Sequence, residues 1–453
     1  MKDIQTYLQD NQELMLEVLS NLVSYPSIEG EGDSIHPFGQ PVADCLDYAL
    51  SVCERVGFDR TENLDYYAGF GEIGSGEKVV GIVGHLDVVP VSGDWNSDPF
   101  TLTINDGKIY GRGTSDNKGP MVAALFAIKY LIDNKVELKK RIRIVFGCNE
   151  ESGMLCVKHY VEKEGHFDIG FTPDGPFPCC HGEKGIIGVE LTADNKIFKT
   201  LKGGVAGNVV PDYCELSIDA NLVNQDKLTE YLVNSPLSSH EITIEDGVLT
   251  LITRGKAAHA STPELGVNAI GYALTALAVA GVEDDAIKEF ACKLNTETDG
   301  KSCGVAFVDK YGPLTLNVGT IALDKDEIKM EINIRNPFTR ENAEVNEVLT
   351  GGGFKTWQVE ITGDSKGLYQ PEDSAFVKLL TDTYNEVTGK NLKPITMGGG
   401  TYARGINNTL AFGPDEPDEE DTHIHDANEF MKLSSLLTSC EIYIKVLLTL
   451  IEM

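Results

Sequence analysis

Between residues 79 and 174 the chain alternates apolar β-type runs with one long apolar helical stretch. The run in "EKVVGIVG" (77–84) predicts a buried strand, and "GPMVAALFAIKYLIDN" (119–134) predicts a helix with Pro120 in its first turn. Two further strands are predicted in "RIRIVFGCNEE" (141–151) and "FDIGFTPDG" (167–175). A strand–helix–strand order favours a parallel sheet covered by helices. We therefore predict an α/β fold class, with a mostly parallel sheet that carries helices on both faces.

The pattern changes after about residue 185 and changes back near 365. Between these points, apolar and polar residues alternate as in half-exposed antiparallel strands, with helical stretches near 226–234, 264–280 and 340–349. After 365 the helix-then-strand pattern returns and ends in a long C-terminal helix. We therefore predict that residues 1–182 and 366–453 form one domain, and that residues 183–365 form an inserted α+β domain.

Charge and cysteine usage restrict the possible partners. The formal net charge of −32 disfavours binding to nucleic acid or to an anionic membrane. The ten cysteines include no CxxC pair, and several lie in apolar runs, so we expect buried free thiols in a reducing cell. We expect no apolar run to reach the length that crosses a bilayer. These observations predict a cytoplasmic protein with no nucleic-acid or membrane partner.

Five segments with metal-binding side chains each end a predicted strand or open a loop. In "GHLDVVP" (84–90), residues i and i+2 share one side of the strand, at the sheet edge where α/β proteins place their chemistry. Each such residue alone has an ordinary explanation: a helix cap, a turn, a solvated face or a hydrogen-bonded loop histidine. The candidate residues are His85 and Asp87, Asp116 in "TSDNKG", Glu150 and Glu151 in "CNEESG", Asp174 in "TPDGP", and His425 in "HIHDANE".

Taken together, these residues favour a metal site. Two histidines and several carboxylates at one sheet edge form a mixed nitrogen and oxygen ligand set, which suits zinc and suits manganese or cobalt nearly as well. The set is larger than one catalytic ion needs, since such an ion takes three protein ligands and a water. Five ligands with one bridging carboxylate could hold two ions about 3.5–4 Å apart, as in aminopeptidases.

The five motifs, in this order, resemble those of the M20 family of metallopeptidases, which includes carboxypeptidases, aminoacylases, desuccinylases and dipeptidases. The resemblance covers nearly the whole chain. The long insertion and four further stretches resemble the dipeptidase branch of PepV-type enzymes, in which the inserted domain is a lid. These stretches are "GNVVPD" (207–212), "GKAAHASTPELGVNA" (255–269), "NIRNP" (333–337) and "GGGTYARG" (398–405).

The resemblance implies a ligand set for two divalent ions, Zn²⁺ first and Mn²⁺ as the alternative. Asp116 matches the carboxylate that bridges the two ions. His85 and Asp174 match the ligands of one ion, and Glu151 and His425 match those of the other. The family pattern of a histidine followed four residues later by a glutamate selects His425, although His423 could take its place if the loop were shifted.

The resemblance also implies roles next to the ions. Glu150 matches the general base that deprotonates the attacking water, and Asp87 matches the carboxylate that orients the His85 ring. The peptide bond between Asp116 and Asn117 is often cis in this family.

The inserted domain is expected to contribute substrate-binding groups. His259 in "AAHAS" matches the family histidine that stabilises the oxyanion, with Asn208 as a possible helper. Arg335 suits a bidentate contact with a substrate carboxylate, and Arg404 is a weaker candidate for the same contact. The glycine run around Gly399 would let backbone N–H groups approach a ligand.

These features predict a metalloprotease: a dinuclear dipeptidase that hydrolyses short peptides with a free C-terminal carboxylate. The expected partner is a small peptide substrate, and the long insertion predicts a monomer. Two alternatives stay open at this point. One is an amidohydrolase acting on N-acyl amino acids, of the aminoacylase or desuccinylase type. The other is a non-catalytic binding protein on the same fold.

Overall fold

The computed structural model describes residues 2–418 and 420–453, so Met1 and Glu419 lie outside the described residues. The described helices are α1 (Ile4–Ser24), α2 (Gln40–Val56), α3 (Lys118–Asp133), α4 (Leu155–Glu164), α5 (Gln225–Val233), α6 (Ala269–Val279), α7 (Asp285–Lys293), α8 (Asn342–Val348), α9 (Ala375–Thr388) and α10 (Leu433–Leu450). The described strands are β1 (Arg60–Leu64), β2 (Ala68–Ile73), β3 (Val79–His85), β4 (Thr103–Asn105), β5 (Lys108–Tyr110), β6 (Arg141–Gly147), β7 (Ile169–Thr172), β8 (Gly175–Pro176), β9 (Cys180–Glu183), β10 (Gly185–Asp194), β11 (Phe198–Gly203), β12 (Tyr213–Asp219), β13 (Ser239–Glu245), β14 (Val248–Arg254), β15 (Val308–Asp309), β16 (Gly312–Pro313), β17 (Thr315–Asp324), β18 (Glu327–Asn336), β19 (Gln358–Ser365), β20 (Leu368–Tyr369), β21 (Ile395–Met397), β22 (Thr409–Ala411), β23 (Pro414–Asp415) and β24 (Phe430–Lys432).

The chain divides into two compact units. Unit 1 contains the residues up to His181 together with Gln370–Ile395 and Gly400–Met453, and unit 2 contains Gly182–Tyr369 and Thr396–Gly399. Unit 1 is therefore built from three separate stretches of sequence. Its last stretch contributes the strands β22, β23 and β24, helix α10 and the segment around His425.

A twisted sheet forms the centre of unit 1, with the strand order β1-β2-β6-β3-β7-β22-β9. The four central strands β6, β3, β7 and β22 run parallel, and the flanking pairs are antiparallel. Every residue of β3 is buried, which explains its continuous apolar sequence. The predicted α/β fold with a mostly parallel sheet is confirmed.

Helices cover both faces of this sheet. On one face α3 is buried along nearly its whole length and packs against α1 and α10. On the other face α4 places Val157 and Tyr160 in one core with Phe70 and Val83. Gly84 and Gly81 face opposite sides, since an added Cβ would meet Met121 of α3 at the first and Phe167 at the second.

Helix α10 corrects one expectation from the sequence. Within the part of the chain that the structure describes, it is long and apolar enough to cross a membrane by length and composition. The expectation that no apolar stretch reaches that length is therefore wrong for this helix. Half of the helix is buried, and it packs in the core of unit 1 against α3, α1 and α9. A core helix passes the same test of length and composition, so α10 is weak evidence for a membrane span.

The cysteines agree with the expectation of buried thiols, since nine of the ten are buried and Cys292 is exposed.

Unit 2 contains an eight-stranded antiparallel sheet in the order β13-β14-β12-β11-β17-β18-β10-β19. Residues along β10 and β14 alternate between buried and partly exposed, as the sequence pattern predicted. Helix α6 covers the buried face and packs on β14, β12 and β17. The strands and helices of unit 2 match an α+β fold.

Candidate metal centre

Three central strands of unit 1 bring the candidate residues to one edge of the sheet. Strand β3 ends at His85, which lies opposite Gly147, the last residue of β6. The loop after β6 carries Glu150 and Glu151, and the loop after β7 carries Asp174. Because these strands are parallel, their carboxyl ends meet at the same edge. Residues far apart in the sequence are therefore neighbours in space.

Asp116 lies at the centre of the cluster. Its Oδ1 is 2.9 Å from Nε2 of His85, and its Oδ2 is 3.0 Å from Nε2 of His425. The same His425 nitrogen is 3.1 Å from Oε2 of Glu151. The potential ligand atoms form two groups, one of His85, Asp116 and Asp174 and one of Asp116, Glu151 and His425, and within each group they lie within 4.8 Å of one another. Only Asp116 belongs to both groups.

The donor set fits two divalent ions. Zinc takes histidine nitrogens and carboxylate oxygens at about 2.0–2.2 Å, so two ligands of one ion lie roughly 3 Å apart. The separations between Asp116 and the two histidines agree with that spacing. Each group offers three protein ligands, which leaves a position for water in a catalytic site.

The electrostatics of the cluster are dominated by buried carboxylates. Burial and the nearby Asp116 raise the pKa of Asp174 to about 8, and burial with Asp116 raises the pKa of the neighbouring Asp415 to about 7. Burial alone would raise the pKa of Asp116, but His425 and His85 hold it well below its usual value. Such a concentration of negative charge favours the binding of cations.

Glu150 lies in this cluster without belonging to either ligand group. Burial, followed by the charge of Asp174, raises the pKa of its carboxyl group well above the usual range. A carboxylate in this environment has a high affinity for a proton, which is the property that a general base needs.

The structure places both the backbone carbonyl and the carboxylate of Asp87 beside the His85 ring. The His85 Nδ1 atom lies 2.9 Å from the backbone carbonyl oxygen of Asp87 and 3.6 Å from its carboxylate Oδ1. The other carboxylate oxygen accepts the N–H of Glu151 at 3.0 Å. The backbone of Asp87 thus holds the histidine ring, and its side chain holds the loop that carries Glu150 and Glu151.

Asn117 joins three of the loops, and no pattern in the sequence indicates this role. Its Oδ1 accepts the backbone N–H of His85 at 3.2 Å, and its Nδ2 donates to the carbonyl oxygen of Pro173 at 2.6 Å. The neighbouring peptide bond between Asp116 and Asn117 is cis. Asn117 therefore links the segments that carry His85, Asp116 and Asp174.

His425 lies in a loop that is closed by a hydrogen bond from the Phe430 N–H to the Thr422 carbonyl oxygen at 3.1 Å. Its side chain is 53% exposed, whereas that of His85 is 1% exposed. His423 lies on the same loop but belongs to neither ligand group, and its ring lies against Phe430. The structure therefore favours His425 over His423.

In unit 2, His259 and Asn208 lie on adjacent segments. Val209 and His259 form an isolated antiparallel bridge, and the N–H of Ala260 donates to the carbonyl oxygen of Asn208 at 2.9 Å. The Nδ1 atom of His259 accepts the backbone N–H of Ser261 at 3.3 Å and lies 2.7 Å from the Ser261 hydroxyl. A backbone N–H can only donate, so the proton of the neutral ring is on Nε2.

Arg335 belongs to the same region of unit 2. It is 4% exposed, and its guanidinium donates to Asn333 Oδ1 at 2.7 Å and to the Gly398 carbonyl oxygen at 3.0 Å. Gly398 also packs against Ser261, since an added Cβ would lie 2.5 Å from the Ser261 Cβ. His259 and Arg335 are thus connected through Ser261 and Gly398. Gly399 follows in the same unit, whereas Arg404 belongs to a short helical turn of unit 1.

Comparison with known proteins decides the family. The family model described as peptidase family M20/M25/M40 matches residues 81–449, which is most of the chain. The chain belongs to the M20 peptidase family. It is accordingly a hydrolase that acts on peptide substrates, and M20 peptidases are metal-dependent. The family match includes every residue of the two ligand groups.

Individual relatives agree with this assignment. A protein of Staphylococcus saprophyticus with the name "Putative dipeptidase" is 34% identical over 466 residues, covering 97% of each chain. The dipeptidase Dug1p from Saccharomyces cerevisiae has a similar fold, with a TM-score of 0.62, 14% identity and coverage of 99% of this chain and 98% of its own. Human carnosine dipeptidase 1 matches with a TM-score of 0.61, 16% identity and coverage of 99% and 98%. The structural matches show a shared M20 fold.

Proposed function

We propose that this M20 peptidase is a cytoplasmic dipeptidase that uses two divalent metal ions to hydrolyse short peptides with a free C-terminal carboxylate. The observation that carries the proposal is the position of Asp116 between two groups of ligand atoms. The relative named as a dipeptidase supports the substrate class.

In this proposal His85, Asp116 and Asp174 hold one ion, and Asp116, Glu151 and His425 hold the other. The nitrogen and oxygen donors suit Zn²⁺ first and Mn²⁺ as an alternative. When bound, two such ions lower the pKa of the attacking water and polarise the scissile carbonyl.

Glu150 acts as the general base. Its carboxylate takes the proton of the attacking water as the water oxygen forms a bond to the carbonyl carbon. The same proton then passes to the nitrogen of the leaving amine as the C–N bond breaks, so that the carboxylate is restored. Asp87 supports this step because its side chain holds the backbone of the adjacent Glu151.

Unit 2 acts as the lid domain and supplies contacts to the substrate. His259 donates a hydrogen bond from Nε2 to the developing oxyanion, helped by Asn208. Arg335 binds the C-terminal carboxylate through its planar guanidinium. Gly399 contributes backbone N–H contacts, and Arg404 is a second candidate for the carboxylate.

The enzyme is proposed to act as a monomer. Of the two alternatives left open by the sequence, the non-catalytic binding protein disagrees with membership of a peptidase family and with the intact ligand set. Hydrolysis of N-acyl amino acids is the alternative outcome of the experiment below.

The proposal is tested by metal analysis together with rates on a dipeptide, its C-terminal amide, the corresponding tetrapeptide and an N-acetyl amino acid. We expect two ions per chain and a preference for the dipeptide. Amidation should lower kcat/KM by about 10–100-fold, because a hydrogen bond to a charged group contributes about 1.5–3 kcal/mol. Faster turnover of the N-acetyl amino acid would support the amidohydrolase.

Arg335→Ala should remove most of the difference between the acid and the amide. The ratio of the two rates is unaffected by a loss of folded protein, so it isolates the contact with the carboxylate. An unchanged ratio would assign that contact to another residue, with Arg404 as the next candidate. Equal wild-type rates on all the peptides would contradict a carboxylate clamp altogether.

His259→Ala is expected to lower kcat by about 10²–10³-fold with little change in KM, as for loss of one oxyanion donor. Ser261→Ala should have a smaller effect in the same direction, because the backbone N–H of Ser261 still reaches Nδ1. His240→Ala is the matched control, since His240 lies on β13 of the same unit. Steady-state kinetics of the three variants check this, and an unchanged kcat in His259→Ala would remove His259 from the mechanism.

A further inference from the structure

Glu429 is the most heavily bonded carboxylate near the candidate metal centre. It is fully buried, and both of its oxygens accept hydrogen bonds. Oε1 accepts the backbone N–H of Ser115 at 2.9 Å and of Asp116 at 3.1 Å. Oε2 accepts the N–H of Gly113 at 3.0 Å and an N–H of Arg112 at 2.7 Å.

All four donors belong to the segment that presents Asp116. The backbone continues the same connection, since the N–H of Gly111 donates to the Glu429 carbonyl oxygen at 3.1 Å and the Ser115 hydroxyl donates to the Phe430 carbonyl oxygen at 2.8 Å. Beyond these contacts, β24 pairs with β5. The segment before α3 is thus held against the segment that follows His425.

The geometry points to Glu429 as a positioning residue for both candidate ions. Its carboxylate fixes the backbone of Asp116, and it stands four residues after His425 on the loop that the Phe430–Thr422 hydrogen bond closes. One side chain thereby sets the distance between the shared carboxylate and a ligand from the far end of the sequence. This inference rests on the proposed two-ion site.

The chemistry explains why a carboxylate is needed at this position. Four N–H donors converge on two oxygens, and an ionised carboxylate is an acceptor at both. In Glu429→Gln, one oxygen becomes an NH₂ group, and whichever way the amide is turned it faces two donors. The segment carrying Asp116 must then move, although the side chain keeps its size and shape.

The test uses Mn²⁺ as the probe, with the full chain first freed of metal. We expect Glu429→Gln to raise the Mn²⁺ dissociation constants of both sites by about 10–100-fold, the usual effect of losing a group that orients metal ligands. The electron paramagnetic resonance signal of a coupled Mn²⁺ pair, present in the wild type, should be lost at ion concentrations that saturate the wild type.

Glu72→Gln is the matched control. Glu72 is also a buried carboxylate of unit 1, and it accepts hydrogen bonds from Arg143 and Arg141 on β6, outside the candidate metal centre. Both variants should lower the Tm of the metal-free protein, but only Glu429→Gln should weaken Mn²⁺ binding. Wild-type Mn²⁺ affinity in Glu429→Gln, or equal weakening in both variants, would overturn the inference.

A measurement on the wild type covers the case in which Glu429→Gln does not fold. The Ser115 and Asp116 amides should exchange slowly with deuterium in the metal-free protein, because they are bonded to a buried carboxylate. Exchange as fast as in an open loop would contradict the inference. Failure of the wild type to bind two Mn²⁺ ions would instead contradict the proposed function, so the two failures are distinguishable.

Discussion

Glu150→Gln is expected to lower kcat by about 10²–10⁴-fold while the protein keeps both ions, because general-base catalysis contributes that much. The reason is structural: Glu150 is buried beside Asp174 but belongs to neither group of ligand atoms. The amide has nearly the same size as the carboxylate and cannot accept the proton. Metal content and single-turnover rates of the purified variant measure the two effects separately.

Glu164→Gln serves as the control for this substitution. Glu164 is the last residue of α4 and pairs with Arg143 at 2.8 Å, outside the candidate metal centre. The Glu164→Gln variant should retain the wild-type kcat. A Glu150→Gln enzyme with near-normal turnover would show that another group takes the proton, and loss of an ion would show that Glu150 is a ligand.

Asp116→Ala is expected to remove both ions together. Asp116 is the only residue common to the two groups, and its two oxygens face different histidines. Loss of a residue that only orients a ligand costs about 10–100-fold in affinity, so loss of a shared ligand should cost more than that at both sites. Activity should fall below detection, and metal analysis after dialysis should find neither ion.

Asp168→Ala is a control of the same chemical type. Asp168 accepts the N–H of Val79 at 2.8 Å, at the amino end of β3 and therefore at the opposite edge of the sheet. The Asp168→Ala variant should lose some stability and keep both ions. Retention of one ion at full affinity in Asp116→Ala would contradict a bridging role.

The cluster of ligands was predictable from the sequence because it depends on strand ends. Strand β3 places His85 at the end of a run of seven buried residues, and parallel pairing brings the neighbouring strand ends to the same edge. The position of His425 is different, since no local pattern places a loop of the last segment beside that edge. The sequence indicates His425 as a candidate only through its imidazole ring, and the family resemblance assigns it to one of the two ions.

The groups that hold the ligands in place were not predictable. Three of the four donors to Glu429 are backbone N–H groups, which every residue except proline has, so the side-chain types in the sequence do not reveal these partners. Asp87 was expected to contact the ring of His85, but the nearer contact of that ring is to the Asp87 backbone. Hydrogen bonds to the main chain leave little trace in a single sequence.

Several elements were also missed for physical reasons. Strand β1 has the sequence "RTENL" and lies at the edge of its sheet, so only Leu64 is buried and no apolar run forms. Strand β19 is an edge strand with alternate residues exposed. Helix α7 has only nine residues, and three of them are buried. Periodicity is weakest in short elements with one narrow buried face.

The division of unit 1 into three stretches has a consequence for how the protein is made. Strand β22 lies between β7 and β9, yet the ribosome adds it only after the whole of β10 to β19. At about 5–20 residues per second, synthesis takes roughly 10–50 s to pass from β7 to β22. During that interval the edge of β7 that later pairs with β22 has no partner strand, so its backbone N–H and C=O groups lack those hydrogen bonds. We therefore expect the nascent chain to need shielding from aggregation, and the candidate metal centre to be complete only after His425 and Glu429 have left the ribosome.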